Sequence, residues 1–417
     1  MKFKSIKGTK DILPGEVEAW QHIEATVRRV MHSFNYREIR TPVFELTALF
    51  ARSIGELTDI VSKEMYTFRD RSDESLTLKP EGTASVLRAY IQHNLGEQAP
   101  LIKVYYIGPM FRQERPQAGR LRQFHQFGAE ALGSQSAQLD AEMMLIPLDI
   151  YQALGIAQSR LKINSVGCER CRPAYKEKLV RELMMSYDNL SPESRARVKQ
   201  NPLRVLDSKD ENDRQLTKHA PLMKDYLCQE CSDHFAAVLA LLDATGTPYE
   251  IDGRLVRGLD YYTKTAYEII SPALGSQDAL AGGGRYDLLT QELGGKPTPA
   301  VGFAAGMERL IVALEKAGTT ASGNQSPVLF IATIEEPARR WAFVKAHELR
   351  SQGLSVELDY LGRSLKSQMR EANRQRSRYL LVVGEDELKS GLAKLKDMET
   401  GTETSVTLSD IQRALKR

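Results

Sequence analysis

Residues Phe111 to Glu130 read FRQERPQAGRLRQFHQFGAE, four arginines and two carboxylates set between two strand-like runs. On the N-terminal side KVYYIG (Lys103 to Gly108) is β-branched and aromatic. On the C-terminal side QFHQFGAEALG alternates in the same way, and Pro116, Ala118 and Gly119 mark a turn between the two. These features predict an antiparallel hairpin with an arginine-rich tip. Strand alternation puts Arg112 and Glu114 on one face of the first strand, and Gln126, Gly128 and Glu130 on one face of the second. Phe124, Phe127 and Gly128 suggest a packed, partly buried hairpin, where charges without partners would be costly. The face is expected to bind something anionic.

With 417 residues the chain exceeds one ordinary core, so two or three domains are expected. No stretch approaches the roughly 18 apolar residues of a membrane span. The opening Met1-Lys-Phe-Lys-Ser has no apolar run after it, so a cytoplasmic location is expected. A net charge of +3 is too small to mark a nucleic-acid binder from the total alone, and any basic surface must be local.

An amphipathic helix is predicted from about Pro14 to Phe34, then the short strand YREIRTPVFE, which Pro42 limits to an edge or an end. MYTFRD and LTLKP form a hairpin, Glu81 to Leu95 a helix, Ala137 to Leu154 a second helix, and Arg160 to Val166 a strand. From Cys168 to Thr247 the text is polar and helical. Strand-like text resumes with YEIDGRLVRGLDYYTKTAYEII, LAGGGRYDLL and VGFAAGMERLIVALEK. The small-residue stretch KAGTTASGNQS (Lys316 to Ser326) reads as a linker. Beyond it PVLFIAT, LSVELDY and RYLLVVG alternate with helical segments, which predicts a parallel sheet with covering helices. The front part is expected to be an antiparallel sheet with helices packed on it.

Gly282-Gly283-Gly284 lacks the Gly-Lys-Ser/Thr of a phosphate loop, and glycines in a strand more often permit close approach of a ligand or another backbone. Arg309 lies in the first turns of a helix entered through Gly302 and Gly306, a good polyphosphate position. Arg257 lies among apolar and aromatic neighbours, where an unpaired arginine would be costly. Three arginines and two strand carboxylates, with no Gly-x-Ser-x-Gly and no His-Glu-x-x-His, suit nucleotidyl transfer by positioning and charge neutralisation.

FRxE (Phe111 to Glu114) and GxxxGMERL (Gly302 to Leu310) resemble motifs 2 and 3 of the class II aminoacyl-tRNA synthetases, and YREIRTPVFE resembles motif 1, the dimer-forming element, with Pro42 as its proline. LVRGLDYYTKTAYE and AGGGRYD are similar to the two histidine motifs of the histidyl-tRNA synthetases. KGTKDILP, KPEGT, VELDYLGRSLKSQMREAN and GEDELKSGLAKLKDMETG fit the same family, so the resemblance covers nearly the whole chain. It implies a multidomain α/β and α+β architecture: an antiparallel class II sheet flanked by helices, a helical insertion and a C-terminal α/β anticodon-binding domain. The implied division is a catalytic core in two parts, 1–167 and 248–316, an insertion at 168–247, a linker at 317–326 and the anticodon-binding domain at 327–417.

The resemblance also implies ATP, Mg²⁺, L-histidine and tRNA-His as substrates and partners, and a homodimer. Residue by residue, Arg112 would contact the ATP α-phosphate, Glu114 the adenine end and Arg309 the γ-phosphate. Arg257 would bridge the histidine carboxylate and the α-phosphate, making Arg257 and Arg112 the catalytic pair. Glu81, Gly82, Thr83 and Gln126 would take the α-amino group; Glu130, Tyr261, Tyr262 and Tyr286 the imidazole. Arg115, Gln117 and Arg122 would reach the tRNA acceptor end. In the C-terminal domain, Pro327 to Arg417 holds 16 lysines and arginines against 13 acids. The excess is concentrated between Arg363 and Arg378, so that Arg363, Lys366 and Arg370 are expected on the tRNA backbone.

A non-catalytic relative, sensing histidine or RNA, should have lost a phosphate arginine or the C-terminal domain; this chain keeps both. A generic ATP-dependent amide ligase would have no use for that domain. The cysteines Cys168, Cys171, Cys228 and Cys231 form two CxxC pairs. Their local spacing fits a structural Cys₄ zinc site, but the gap between pairs is far longer than the roughly 15–20 residues of an ordinary ribbon, so no metal is assigned from sequence.

Overall fold

The computed structural model describes residues 3–55, 58, 60–116, 120–156, 158–208, 210–257, 261–277, 279–318 and 326–415. The chain divides into two compact units, Met1–Ser322 and Gly323–Arg417.

In the first unit, strands β1 (Arg37–Glu38), β2 (Phe44–Leu46), β3 (Thr67–Arg69), β4 (Ser75–Leu78), β5 (Ile102–Phe111), β6 (Gln123–Leu132), β7 (Arg160–Ser165), β8 (Tyr249–Ile251), β9 (Thr263–Ile270), β10 (Ala279–Arg285) and β11 (Ala300–Gly306) build two sheets. The large one runs β1-β5-β6-β11-β10-β9-β7-β8, and β2-β4-β3 is a small one. Every neighbour in the large sheet is antiparallel except the outermost pairs, β1 with β5 and β7 with β8.

Alternation divides this sheet into two faces. Phe127, Ala129 and Ala131 of β6, Val301, Phe303 and Ala305 of β11, and Tyr267 and Ile269 of β9 join one core. Helices Val17–Ser33 and Ala137–Ala153 cover that face with Ile23, Val27, Met31, Met144, Ile146 and Ile150. Gln126, Gly302, Ala304 and Glu268, on the intervening positions, line a cavity instead.

Between β7 and β8 the chain makes a helical excursion with its own core, built on Tyr175, Leu179, Leu183, Val198, Val205 and Met223, and returns through helix Gln229–Ala244, whose Val238 and Leu242 join the core of the large sheet.

In the second unit β12 (Leu329–Thr333), β13 (Val356–Leu358), β14 (Tyr379–Val383), β15 (Leu392–Asp397) and β16 (Glu403–Thr407) are ordered β13-β12-β14-β15-β16. The first three are parallel, with helices Glu336–Ser351 and Leu365–Arg374 as crossovers. The expected parallel sheet is therefore only three strands of five, because β15 and β16 add an antiparallel hairpin. Both are solvated on one face, β16 at the sheet's edge and β15 next to it, and their charged outward positions hide the strand signal.

Candidate active site

The turn Lys79-Pro80-Glu81-Gly82 delivers the chain into helix Thr83–Gln92. Glu81 lies at the positive end of that helix and accepts the N–H groups of Thr83 (2.7 Å) and Ala84 (2.8 Å). The Thr83 hydroxyl donates to Glu130 Oε1 at 2.7 Å, and the Tyr286 hydroxyl donates to Glu130 Oε2. Glu130 is fully buried, and burial pushes its carboxyl pKa up to about 8, against the pull of the Tyr286 and Thr83 hydroxyls and with Glu81 adding to the rise. Burial also raises the pKa of Glu81. Tyr261, Tyr262 and Tyr286 close the pocket as a ring cluster, with centroids 4.7 to 6.4 Å apart.

The arginines lie along the same cavity. Arg112 donates through Nε to Pro80 O at 2.9 Å and lies 5.3 Å over the Phe124 ring. Its nearest carboxylate contact, Glu114, is 3.8 Å away, and Glu114 is closer to Arg120 at 3.2 Å. Arg257 pairs with Glu268 at 2.9 Å and lies against Gly282, where a Cβ would be 1.9 Å from its Nη2. A side chain at 282 would have to displace that guanidinium from its place beside Glu268. Arg309, one turn into the helix that follows β11, donates to Ala279 O at 2.6 Å. Burial, with Arg120 and Arg112 adding to it, lowers the Arg309 pKa, and Glu114 and Glu268 offset this only in part. Cations crowded in this way are stabilised by an incoming anion.

The cavity measures about 1090 Å³ and is lined by Glu81, Thr83, Arg112, Glu114, Gln126, Arg257, Tyr261, Tyr262, Tyr286 and Arg309. Gln126 Oε1 and Arg257 Nε are buried there with no hydrogen-bond partner among the described residues.

Two expected pocket residues do not line it. Glu130 is reached only through the Thr83 and Tyr286 hydroxyls, and Gly82 packs on Tyr106, whose Cζ would be 2.3 Å from a Cβ. Nor do Arg112 and Glu114 share a strand face. β5 ends at Phe111, and Arg112 keeps one further pairing, its N–H to Arg122 O at 2.9 Å, before the chain leaves the ladder.

At the tip Arg115 is exposed, and Arg122 is held by the carbonyls of Glu114 (3.3 Å) and Lys7 (3.4 Å). Gln117 lies outside the described residues. In the C-terminal unit Arg363 is engaged by Asp359 (2.5 Å) and Glu371 (3.1 Å). Lys366 and Arg370 are exposed and make no ion pair among the described residues. Sequence reasoning missed Arg120 and Glu268 as cavity residues. Glu268 had a signal, a single carboxylate in the otherwise uncharged run TAYEII.

A largely antiparallel sheet flooring a cavity lined by three arginines, one of them at the start of a helix leaving the sheet, has the layout of a class II aminoacyl-tRNA synthetase core. The sequence profile of the histidyl-tRNA synthetase family matches residues 8–310, and that of the anticodon binding domain matches 329–417. The histidine–tRNA ligase of Halothermothrix orenii is 49% identical over the full length of both chains. The crystal structure of apo S. aureus histidyl-tRNA synthetase superposes with a TM-score of 0.85 at 38% identity, covering both chains completely. A Bacillus halodurans chain described as an ATP phosphoribosyltransferase regulatory subunit/histidyl-tRNA synthetase covers 92% of this chain and 99% of its own, with a TM-score of 0.66 at 19% identity, a likeness of fold alone. The chain belongs to the histidyl-tRNA synthetase family.

Proposed function

We infer that this chain is a histidine–tRNA ligase, activating L-histidine on ATP and transferring it to the 3′ end of tRNA-His. The observation that carries this reading is one cavity lined by Arg112, Arg257 and Arg309 together with Glu81, Thr83 and the tyrosine cluster that holds Glu130. Arg112 takes the α-phosphate, Arg309 the γ-phosphate and Glu114 the adenine end. Arg257 bridges the histidine carboxylate and the α-phosphate. Glu81, Thr83 and Gln126 receive the ammonium beside Gly82, and the unpartnered Gln126 Oε1 suits that role. The hydroxyls of Tyr261, Tyr262 and Tyr286 supply donors and acceptors for the imidazole nitrogens, with Glu130 behind them accepting from Tyr286 and Thr83. A side chain without those nitrogens would strand buried partners, a discrimination on the order of 10⁴-fold.

The histidine carboxylate attacks the α-phosphorus in line as the bond to pyrophosphate breaks. Arg112 and Arg257 stabilise the charge that develops on the phosphate oxygens. Mg²⁺ brought in with ATP would screen the leaving pyrophosphate, and Glu268 is a cavity carboxylate whose oxygens would suit a hard cation. The terminal ribose hydroxyl of tRNA then attacks the histidyl carbonyl and AMP leaves.

Arg115, Gln117 and Arg122 would meet the acceptor end, and Lys366 and Arg370, with Arg363 nearby, the phosphates of the anticodon arm. A homodimer is supported by Phe44, Leu46 and Phe68, which are 44 to 51% exposed on the small sheet, an apolar patch that a second copy would cover. No helix among the described residues is long and apolar enough to cross a membrane, and the proposed site of action is the cytoplasm.

Histidine-dependent exchange of pyrophosphate into ATP, followed by charging of tRNA-His, tests the assignment. Histidine or RNA binding without exchange would favour a non-catalytic relative.

A further inference from the structure

None of the residues assigned to amino-acid activation belongs to the cysteine cluster at the root of the helical excursion. The sulfurs of Cys168, Cys171, Cys228 and Cys231 lie within 4.8 Å of one another, all as free thiols. Cys168 Sγ is 3.5 Å from Cys171 Sγ and 3.8 Å from Cys228 Sγ. Four Zn–S bonds of about 2.3 Å in a tetrahedron set the sulfurs about 3.8 Å apart. A disulfide needs about 2.05 Å, and a multi-iron cluster holds its thiolates further apart than one ion does.

The long sequence gap, residues 172 to 227, is closed by the fold. Helix Arg172–Met185 departs directly from Cys171, and the turn Met223–Tyr226 returns the chain to Cys228, whose N–H donates to Cys171 Sγ at 3.1 Å. Gly167, at φ +66°, turns the chain into the first pair; a Cβ there would be 2.2 Å from Met223 Cε and 3.0 Å from Cys171 Cβ. Cys171 and Cys231 are buried, so the centre of the cluster is shielded from solvent.

The same knuckle is tied to the strand that follows the tyrosine pair. Arg172, next to Cys171, donates to the Tyr262 carbonyl and to Val166 O (3.1 Å). Lys264 donates its N–H to Gly167 O (2.9 Å) and its ammonium to Glu230 Oε1 (2.9 Å), between the second pair of cysteines.

We propose that the four cysteines bind one zinc ion with no open position, and that this ion, through Arg172, holds the backbone at Tyr262 for the amino-acid side chain. The first half stands on the sulfur geometry; the second rests on the assignment of Tyr262 to the histidine pocket.

Full-length protein purified without chelator should carry one zinc per chain by elemental analysis, released in step with modification of four thiols by a mercurial. Substoichiometric zinc with four freely reactive thiols, iron in its place, or a mass showing disulfides would each overturn the site. The positioning half is tested by Arg172→Gln, which keeps all four ligands. It should retain zinc and raise the KM for histidine roughly tenfold with little change in the KM for ATP. Equal rises in both, or none in either, would overturn it. If the wild-type chain lacks histidine-dependent exchange, the ligase assignment fails and with it the positioning half, while the metal content still decides the zinc site on its own.

Discussion

In the C-terminal unit the arginines of the 363–378 stretch are mostly occupied. Arg363 is engaged by Asp359 and Glu371, Arg374 by Glu371, and Arg378 by Asp397 and Glu399. In the cavity of the first unit Arg112 stands 3.8 Å from its nearest carboxylate contact, Arg309 bonds to a carbonyl, and Arg257 has one ion pair and a buried Nε without a partner. The exposed stretch has the higher density of positive charge in sequence, yet the cavity has the less compensated cations. A count of basic residues locates charge, whereas the supply of counter-charge decides where an anion is wanted. Exposed ion pairs of the first kind add little stability. Of the half-buried arginines of the second kind, Arg309 is the one whose charge is held at a cost, which a bound phosphate or carboxylate relieves.

The largest effect that tests this contrast is expected from Arg257→Ala. It should lower the rate of histidine-dependent pyrophosphate exchange about 10³-fold or more while changing the KM values little, because its charge acts chiefly on the transition state. Near-normal exchange would remove Arg257 from the chemistry. Next in size, a chain ending at Gly318 should keep exchange, since every cavity residue precedes that point, and lose about 10²-fold in tRNA charging efficiency as the phosphate contacts go. Undiminished charging by the truncated chain would detach the C-terminal unit from tRNA.

A smaller effect concerns pH. The Glu130 carboxyl has a folded pKa raised to about 8 from an ordinary 4.5. Between those values the folded state holds a proton that the unfolded state has released, so this group's contribution to stability is complete below about pH 4.5 and is lost as pH rises through about 8. Glu130→Gln does not titrate. Denaturant melts from pH 5 to 8 should show the variant gaining on the wild type as pH rises, by at most about 1.4 kcal/mol per pH unit. A difference independent of pH would contradict the raised pKa. The smallest effect separates the two kinds of C-terminal cation. Lys366→Ala with Arg370→Ala should weaken tRNA binding a few-fold and flatten its salt dependence by about two counterions, whereas Arg374→Ala, already neutralised by Glu371, should do neither. Equal losses in both would mean that the ion pairs open on binding.

Much of the site was legible because strand alternation and element junctions leave firm marks. Gln126, Gly128 and Glu130 do share a face of β6, and Arg309 does follow a strand-to-helix junction at Gly306. KPEGT likewise reads as an entry to a helix. The end of β5 was not legible, because Arg112 to Arg115 are all polar and offer no apolar alternation that would stop where pairing stops. The seclusion of Glu130 behind two hydroxyls depends on Thr83 and Tyr286, 47 and 156 residues away along the chain. β15 and β16 escaped notice because LAKLKD and ETSVT carry the charged and polar residues of a solvated sheet face. The proximity of the cysteine pairs depends on a fold between them that no local spacing encodes.

The order of strands in the large sheet has a consequence for how the protein is made. β11 is the last of its strands in the chain, yet it lies in the middle, joining β1, β5 and β6 on one side to β10, β9, β7 and β8 on the other. Until residue 306 has left the ribosome, the nascent chain has two half-sheets with unpaired facing edges at β6 and β10, which are ready templates for foreign strands. Synthesis from the N-terminus thus seals this sheet only when its keystone arrives, so a stall or stop shortly after Arg285 releases a chain with two sticky edges rather than a smaller enzyme.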